Sequence, residues 1–217
     1  MTEAAIPLEL VLASGSPRRA ELLEMLRIPF RVEIPDVEEL ALSGESAQRQ
    51  VERLAREKAR SVAERCSGRW IIAGDTVVVL DDEVLGKPSS IEEAVAMLLE
   101  LQGRTHLVSS GVAVCSPDGE VRSGVETSRV TFRPFDRSVA EAYARTGEPM
   151  DKAGAYGIQG FGATLVRRVE GDFYGVVGFP VVLLLDLLRQ GGAEYRFGKW
   201  IPSTAARSDD AAAGTIP

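Results

Sequence analysis

Histidine and cysteine are almost missing from this chain. One histidine, His106, and two well-separated cysteines, Cys66 and Cys115, are too few for a Cys/His zinc site or a disulfide scaffold. Cationic excess is missing too: 25 Lys and Arg face 32 Asp and Glu, a formal net charge of −7. With aromatics at 6%, that balance excludes a protein built to grip nucleic-acid backbone or stack on its bases. No window approaches the roughly 20 consecutive apolar residues that a membrane span needs. The opening MTEAAIPLELVLASGSPRR carries no basic leader, and Pro7 and Glu9 interrupt its apolar stretch, so no export signal is expected. Unpaired cysteines without export place the chain in a reducing cytoplasm.

What is present is an ordinary globular balance, 45% hydrophobic and 26% charged over 217 residues. One domain is expected over residues 1–200. Residues 201–217, rich in Ala, Ser, Asp and Gly, are expected to be a disordered tail. The apolar run 8–13 reads as a strand, Ser14-Gly15-Ser16-Pro17 as a tight turn, and the following Leu22, Leu23, Leu26 spacing as a helix with Ser16 at its N-cap. A second helix is expected over about 45–65. A strand over 70–73 is expected to break at Gly74-Asp75-Thr76 and resume over 77–80, leading into a hairpin. Ser90 and Glu93 predict a capping box and a helix to about 101. Strands follow over 106–115 and 120–133, then a helix capped by Asp136, a glycine-rich stretch 147–162, a strand near 164–169 and a helix opened by Pro180. Strands and helices mixed in this way indicate an α/β or α+β sheet protein.

Several residues look like chemistry. Arg18 and Arg19 fall in a first helical turn, at the positive end of the helix dipole, where cations are locally unfavourable. With Ser14, Ser16 and free backbone N–H groups they describe a pocket for a polyanion such as a triphosphate; the alternative is a solvated turn paired with Glu21 or Glu24. Asp75, read at a strand end beside Thr76, suits a general base or a metal ligand, or a plain turn former. Lys87, fixed between Gly86 and Pro88, could hold a phosphate. Lys58 follows Leu54 by four and so lies near its helix's apolar face, where its stem could also simply snorkel. Gln159, in the glycine-rich stretch, carries the donor and acceptor that reading a base edge requires. His106 reads as a structural hydrogen-bonder.

Taken in order, Ser14–Arg19 (SGSPRR), Gly74-Asp75-Thr76, Leu85–Pro88 (LGKP), Gly103–His106 (GRTH) and Asp151–Gly160 (DKAGAYGIQG) resemble the Maf family of nucleoside triphosphate pyrophosphatases. The resemblance implies an α/β fold related to the inosine triphosphatases, with a mixed central sheet flanked by helices and two lobes around a cleft. The KAGAYGIQG form looks like the branch acting on dTTP and UTP. By the same resemblance Asp75 is the proton acceptor; Arg18, Thr76 and Gln159 set specificity; Ser14, Arg19, Glu39, Lys58 and Lys87 complete the cleft. Glu39 and Asp75 are the implied ligands of Mg²⁺ or Mn²⁺, and Glu38 is an equally good chemical candidate for Glu39's place. A nucleoside triphosphate is the implied partner and a homodimer the implied assembly. The role behind the family's name, a non-catalytic regulator of septum formation, is the alternative reading.

Overall fold

Leu10–Ala13, buried at all four positions, forms β1 inside a mixed sheet. The computed structural model describes residues 8–203. The sheet runs β2 (Phe30–Glu33), β1, β3 (Trp70–Leu80), β5 (Thr105–Cys115), β6 (Val121–Phe132), β7 (Val166–Glu170), and β4 (Glu83–Leu85) also pairs with β3. β1 is parallel to β2 and β3, and the remaining pairs are antiparallel, so the expected mixed α/β class is what forms.

Helices cover both faces. α1 (Pro17–Met25) and α6 (Val181–Gln190) bury Leu22, Leu23, Leu184, Leu187 and Leu188 against Leu10, Leu12 and Ile72. α2 (Ala47–Ala63) lays Ala55, Ala59 and Val62 on the opposite face, over Val11, Ala13, Ile71 and Ala73. α3 (Ile91–Leu101) and α4 (Arg137–Ala144) form a separate core with Val78, Leu80, Val108 and Phe132. The two ends of β3 therefore belong to different cores.

The local signals held where a cap or proline fixes a helix start. Asp136 accepts the Val139 N–H and Ser90 accepts the Glu93 N–H. Pro17 opens α1, but the Ser16 hydroxyl makes no cap; instead Ser14 Oγ accepts the Ser16 N–H. Two expectations are corrected. β3 does not break at Gly74-Asp75-Thr76: these pair with Val112, Gly111 and Ser110 of β5, so they continue the ladder and do not form a turn. The tail does not begin at 201: Ile201 and Pro202 lie in β9 (Trp200–Pro202), which pairs with β8 (Ala193–Tyr195), and Ser203 N–H bonds the Gly192 carbonyl. The rest of the expected tail, 204–217, lies outside the described residues. Both cysteines are free and buried, and no helix among the described residues is long and apolar enough to cross a membrane.

Gly111 sets how closely α2 approaches the sheet. A Cβ there would sit 2.3 Å from the Val51 carbonyl oxygen, a backbone atom that cannot swing aside. Gly111→Ala should therefore lift α2 and destabilise the protein by about 1–3 kcal/mol, lowering the melting midpoint by several degrees. A thermal melt unchanged from wild type would contradict this packing.

Candidate active site

β1 ends at Ala13, opposite Ala73, and β4 begins to pair with β3 only at Val78. β5 occupies the other edge of β3 throughout, so one edge is left bare over residues 74–77. A cleft of about 570 Å³ opens there, at the carboxyl ends of the parallel strands, where open α/β sheets place ligands. Strand alternation divides the chemistry. Asp75 shares the face of Ile71 and Ala73, under α2, while Thr76 points to the opposite face.

All nine residues implied by the resemblance line this single cleft: Ser14, Arg18, Arg19, Glu39, Lys58, Asp75, Thr76, Lys87 and Gln159. Lys58, buried on α2, holds Asp75 Oδ1 at 2.6 Å and Glu39 Oε1 at 2.5 Å. Its place beside the apolar face is thus an ion-pair site and not a snorkelling stem. Burial pushes the Glu39 carboxyl up, but the Lys58 hydrogen bond and the charges of Lys58, Lys87 and Arg19 outweigh it and hold the group below its usual range.

Arg19 is a buried latch. Its Nε donates to the Gly178 carbonyl at 2.9 Å, Nη1 to Ser14 Oγ at 3.0 Å and Nη2 to Thr76 Oγ1 at 3.3 Å. This joins α1 to the loop after the short helix α5 (Phe173–Val177). Burial lowers its pKa and the Asp75 charge opposes that. Three of the guanidinium's five N–H groups are used, leaving two. Arg18 pairs with neither Glu21 nor Glu24, but donates to Asp151 Oδ2 at 2.9 Å. Lys87 makes no hydrogen bond or ion pair among the described residues, though its charge reaches Glu39. The Gln159 amide does not cap the 3₁₀ turn Gly160–Thr164 that follows it.

Sequence reasoning assigned no role to Gln50, Asp151 or Lys152, which also line the cleft. Gln50 had a signal, since it precedes Leu54 and Lys58 at helical spacing of four. Lys152 Nζ donates to Asp151 Oδ1 at 2.6 Å, so one carboxylate bridges two cations. That bridge joins segments far apart in the chain and leaves no local pattern.

His106 lies behind the cleft, where its Nε2 meets Tyr156 Oη at 2.8 Å and burial pushes its pKa down to about 4. The unfolded chain takes up this proton near pH 6.5 and the folded chain does not, so stability falls as pH drops from 6.5 towards 4. The full effect is about 3 kcal/mol. His106 is the chain's only histidine. The slope between pH 6.5 and 5.5, above the carboxylate range, is therefore its own. Denaturant titrations of His106→Gln should lose that slope; a slope equal to wild type would contradict the assignment.

The fold and cleft define an α/β protein that gathers a cluster of cations and one buried acid in a single cleft. The chain belongs to the Maf-like protein family, whose profile matches residues 9–191. It is 50% identical over 184 residues to the dTTP/UTP pyrophosphatase of Nitratidesulfovibrio vulgaris, covering 84% of this chain and 88% of that one. It is 51% identical over 183 residues to the dTTP/UTP pyrophosphatase of Myxococcus xanthus, covering 84% and 92%. Among solved structures, the Ham1 protein of Staphylococcus aureus gives a TM-score of 0.45 at 19% identity, over 73% of this chain and 79% of that one.

Proposed function

We propose that the chain is a nucleoside triphosphate pyrophosphatase that cleaves dTTP and UTP between the α- and β-phosphorus, releasing the monophosphate and pyrophosphate. The names of its relatives support the substrate class. The observation that carries the chemistry is the placing of Asp75, on the bare edge of β3, in one cleft with Ser14, Arg18, Arg19, Lys58 and Lys87.

Displacement at the α-phosphorus builds negative charge on the leaving pyrophosphate, and catalysis rests mainly on holding that charge and positioning the reactants. Lys87 has no competing hydrogen-bond or ion-pair partner among the described residues, and Arg18 reaches phosphate by exchanging the carboxylate of Asp151 for it. Arg19 offers its two remaining N–H groups from a fixed fork, with Ser14 beside it. Oδ1 of Asp75 is taken by Lys58, which leaves Oδ2 to orient a water and accept its proton. Thr76 is held by Arg19 and by Ser110, so its hydroxyl is fixed on the face of β3 opposite this acid.

Glu39 and Asp75 are the residues that would hold a divalent cation. Among the described residues no cluster of three or more His, Cys, Asp or Glu could hold one alone. Two carboxylates already gathered on one ammonium fit Mg²⁺ or Mn²⁺, which take hard oxygen ligands and draw the rest of their shell from phosphates and water. Such an ion supplies neutralisation of phosphate charge. A regulator that only binds nucleotide has no use for a buried base facing the phosphates, and that distinguishes the septum reading from this one.

Gln159 reads the base. Gln159→Ala should lower the ratio of kcat/KM for dTTP over dATP by roughly tenfold or more, the scale for a lost base-edge hydrogen-bond pair, while slowing dTTP less. An unchanged substrate profile contradicts this role.

A further inference from the structure

Two side chains that do not line the cleft grip the backbone on both sides of Gln159. Tyr143, buried on α4, accepts the Gly157 N–H at 3.1 Å and donates its hydroxyl to Glu148 Oε1 at 2.9 Å. Glu148 in turn accepts the Phe161 N–H on Oε2 at 2.9 Å and the Gly162 N–H on Oε1 at 3.0 Å. Burial pushes the Glu148 carboxyl up, but these donors and the Lys152 charge hold it below its usual range. One phenol and one carboxylate thus take backbone N–H groups two residues before Gln159 and two and three residues after it.

The segment has no slack around this grip. A Cβ at Gly162 would lie 2.0 Å from the Gly157 carbonyl oxygen and 2.6 Å from the Tyr143 hydroxyl. One at Gly160, whose φ is +64°, would lie 2.7 Å from Glu148 Oε2. The glycines are therefore what lets residues 157–162 wrap a carboxylate, and not a sign of a loose loop. Tyr156, bonded to His106, fixes the entry to the same segment. Gln159 lines the cleft next to Gly157 and Ile158, with its amide uncommitted among the described residues.

We propose that Tyr143 and Glu148 are positioning residues for nucleobase selection, acting only through the backbone that carries Gln159. This rests on the reading of Gln159 as the base-contacting residue. Discrimination by hydrogen bonds demands placement within about 0.5 Å, so loosening this segment erodes base selection before it touches the phosphate side.

The test is steady-state kinetics on Tyr143→Phe, which keeps the ring and removes only the hydroxyl, and on Glu148→Gln as a second variant. Each is assayed with dTTP and with dATP, with pyrophosphate as a competing inhibitor. For Tyr143→Phe the expected result is a several-fold rise in KM for dTTP with little change in kcat. The dTTP over dATP ratio of kcat/KM falls by the same several-fold factor, because dATP turnover is little changed, and the pyrophosphate inhibition constant stays within about twofold of wild type. The double variant is no worse than the weaker single one, because both act through one segment. A ratio unchanged in both variants, whatever happens to the melting temperature, overturns the proposal and leaves the role of Gln159 standing. Loss of pyrophosphate binding in proportion to dTTP also overturns it, since that is a general loosening. A wild-type protein that does not distinguish dTTP from dATP overturns both readings.

Discussion

Asp75→Asn should lower kcat on dTTP by at least about a hundredfold, and up to about ten-thousandfold, while leaving the protein folded and nucleotide bound. That range is what a positioned base contributes, and the amide cannot accept the proton that the carboxylate takes. The fold should survive because Asn keeps an oxygen that can accept from Lys58, 2.6 Å away, and because the backbone of residue 75 is held in the β3–β5 ladder. Equilibrium binding of dTTP to the inactive variant, beside its turnover, separates loss of chemistry from loss of affinity. Turnover within a fewfold of wild type contradicts the base assignment.

Lys58→Met should be the most damaging single change to stability. The methionine matches the lysine stem in length, so packing on α2 is kept while the charge is lost. Asp75, buried, and Glu39, half-exposed, would then share the cleft with no ammonium between them. Breaking a buried pair by removing one partner costs about 3–5 kcal/mol because the remaining charge is left desolvated. In a domain of this size that is roughly a 10 °C fall in the melting midpoint. The pH dependence carries a definite sign. In wild type the Glu39 pKa is depressed, so its contribution is present above the ordinary glutamate range and lost as pH falls through the lower folded value. In Lys58→Met the main depressing cause is gone, so the deficit should be largest at neutral pH and shrink as Glu39 protonates. Melts at pH 7 and pH 4 test this. Equal deficits at both would place the effect in packing and not in charge.

What the sequence disclosed, and what it hid, divides along the range of the interaction. Pro17, Ser90 and Asp136 act on the three residues after them, and each marks a helix start that is found. Lys58 could be placed near an apolar face from a spacing of four, but only the fold brings Asp75 and Glu39 to it. β3 shows the opposite case. Gly74-Asp75-Thr76 carries local turn chemistry, yet β5 pairs with it residue by residue and the ladder prevails. Gly74 serves close packing, since a Cβ there would lie 3.1 Å from the Phe179 ring. β2 and α5 had no readable pattern, being respectively an edge strand with little burial and a single turn and a half of Phe, Tyr, Gly and Val. Seven of the nine cleft residues fall within the five short motifs, none specific alone, while Glu39 and Lys58 lie outside them. Glu148 and Tyr143 were not legible, because their partners are backbone N–H groups that any residue supplies.

In the proposed reaction, water attacks the α-phosphorus of a pyrimidine triphosphate with Asp75 as its base. Turnover of dTTP in H₂¹⁸O, followed by mass spectrometry of both products, tests it most directly. The expected result is one ¹⁸O in dTMP, unlabelled pyrophosphate, and neither product at a comparable rate from Asp75→Asn. Label in the pyrophosphate, release of orthophosphate with dTDP, or full turnover by the Asn variant would contradict it.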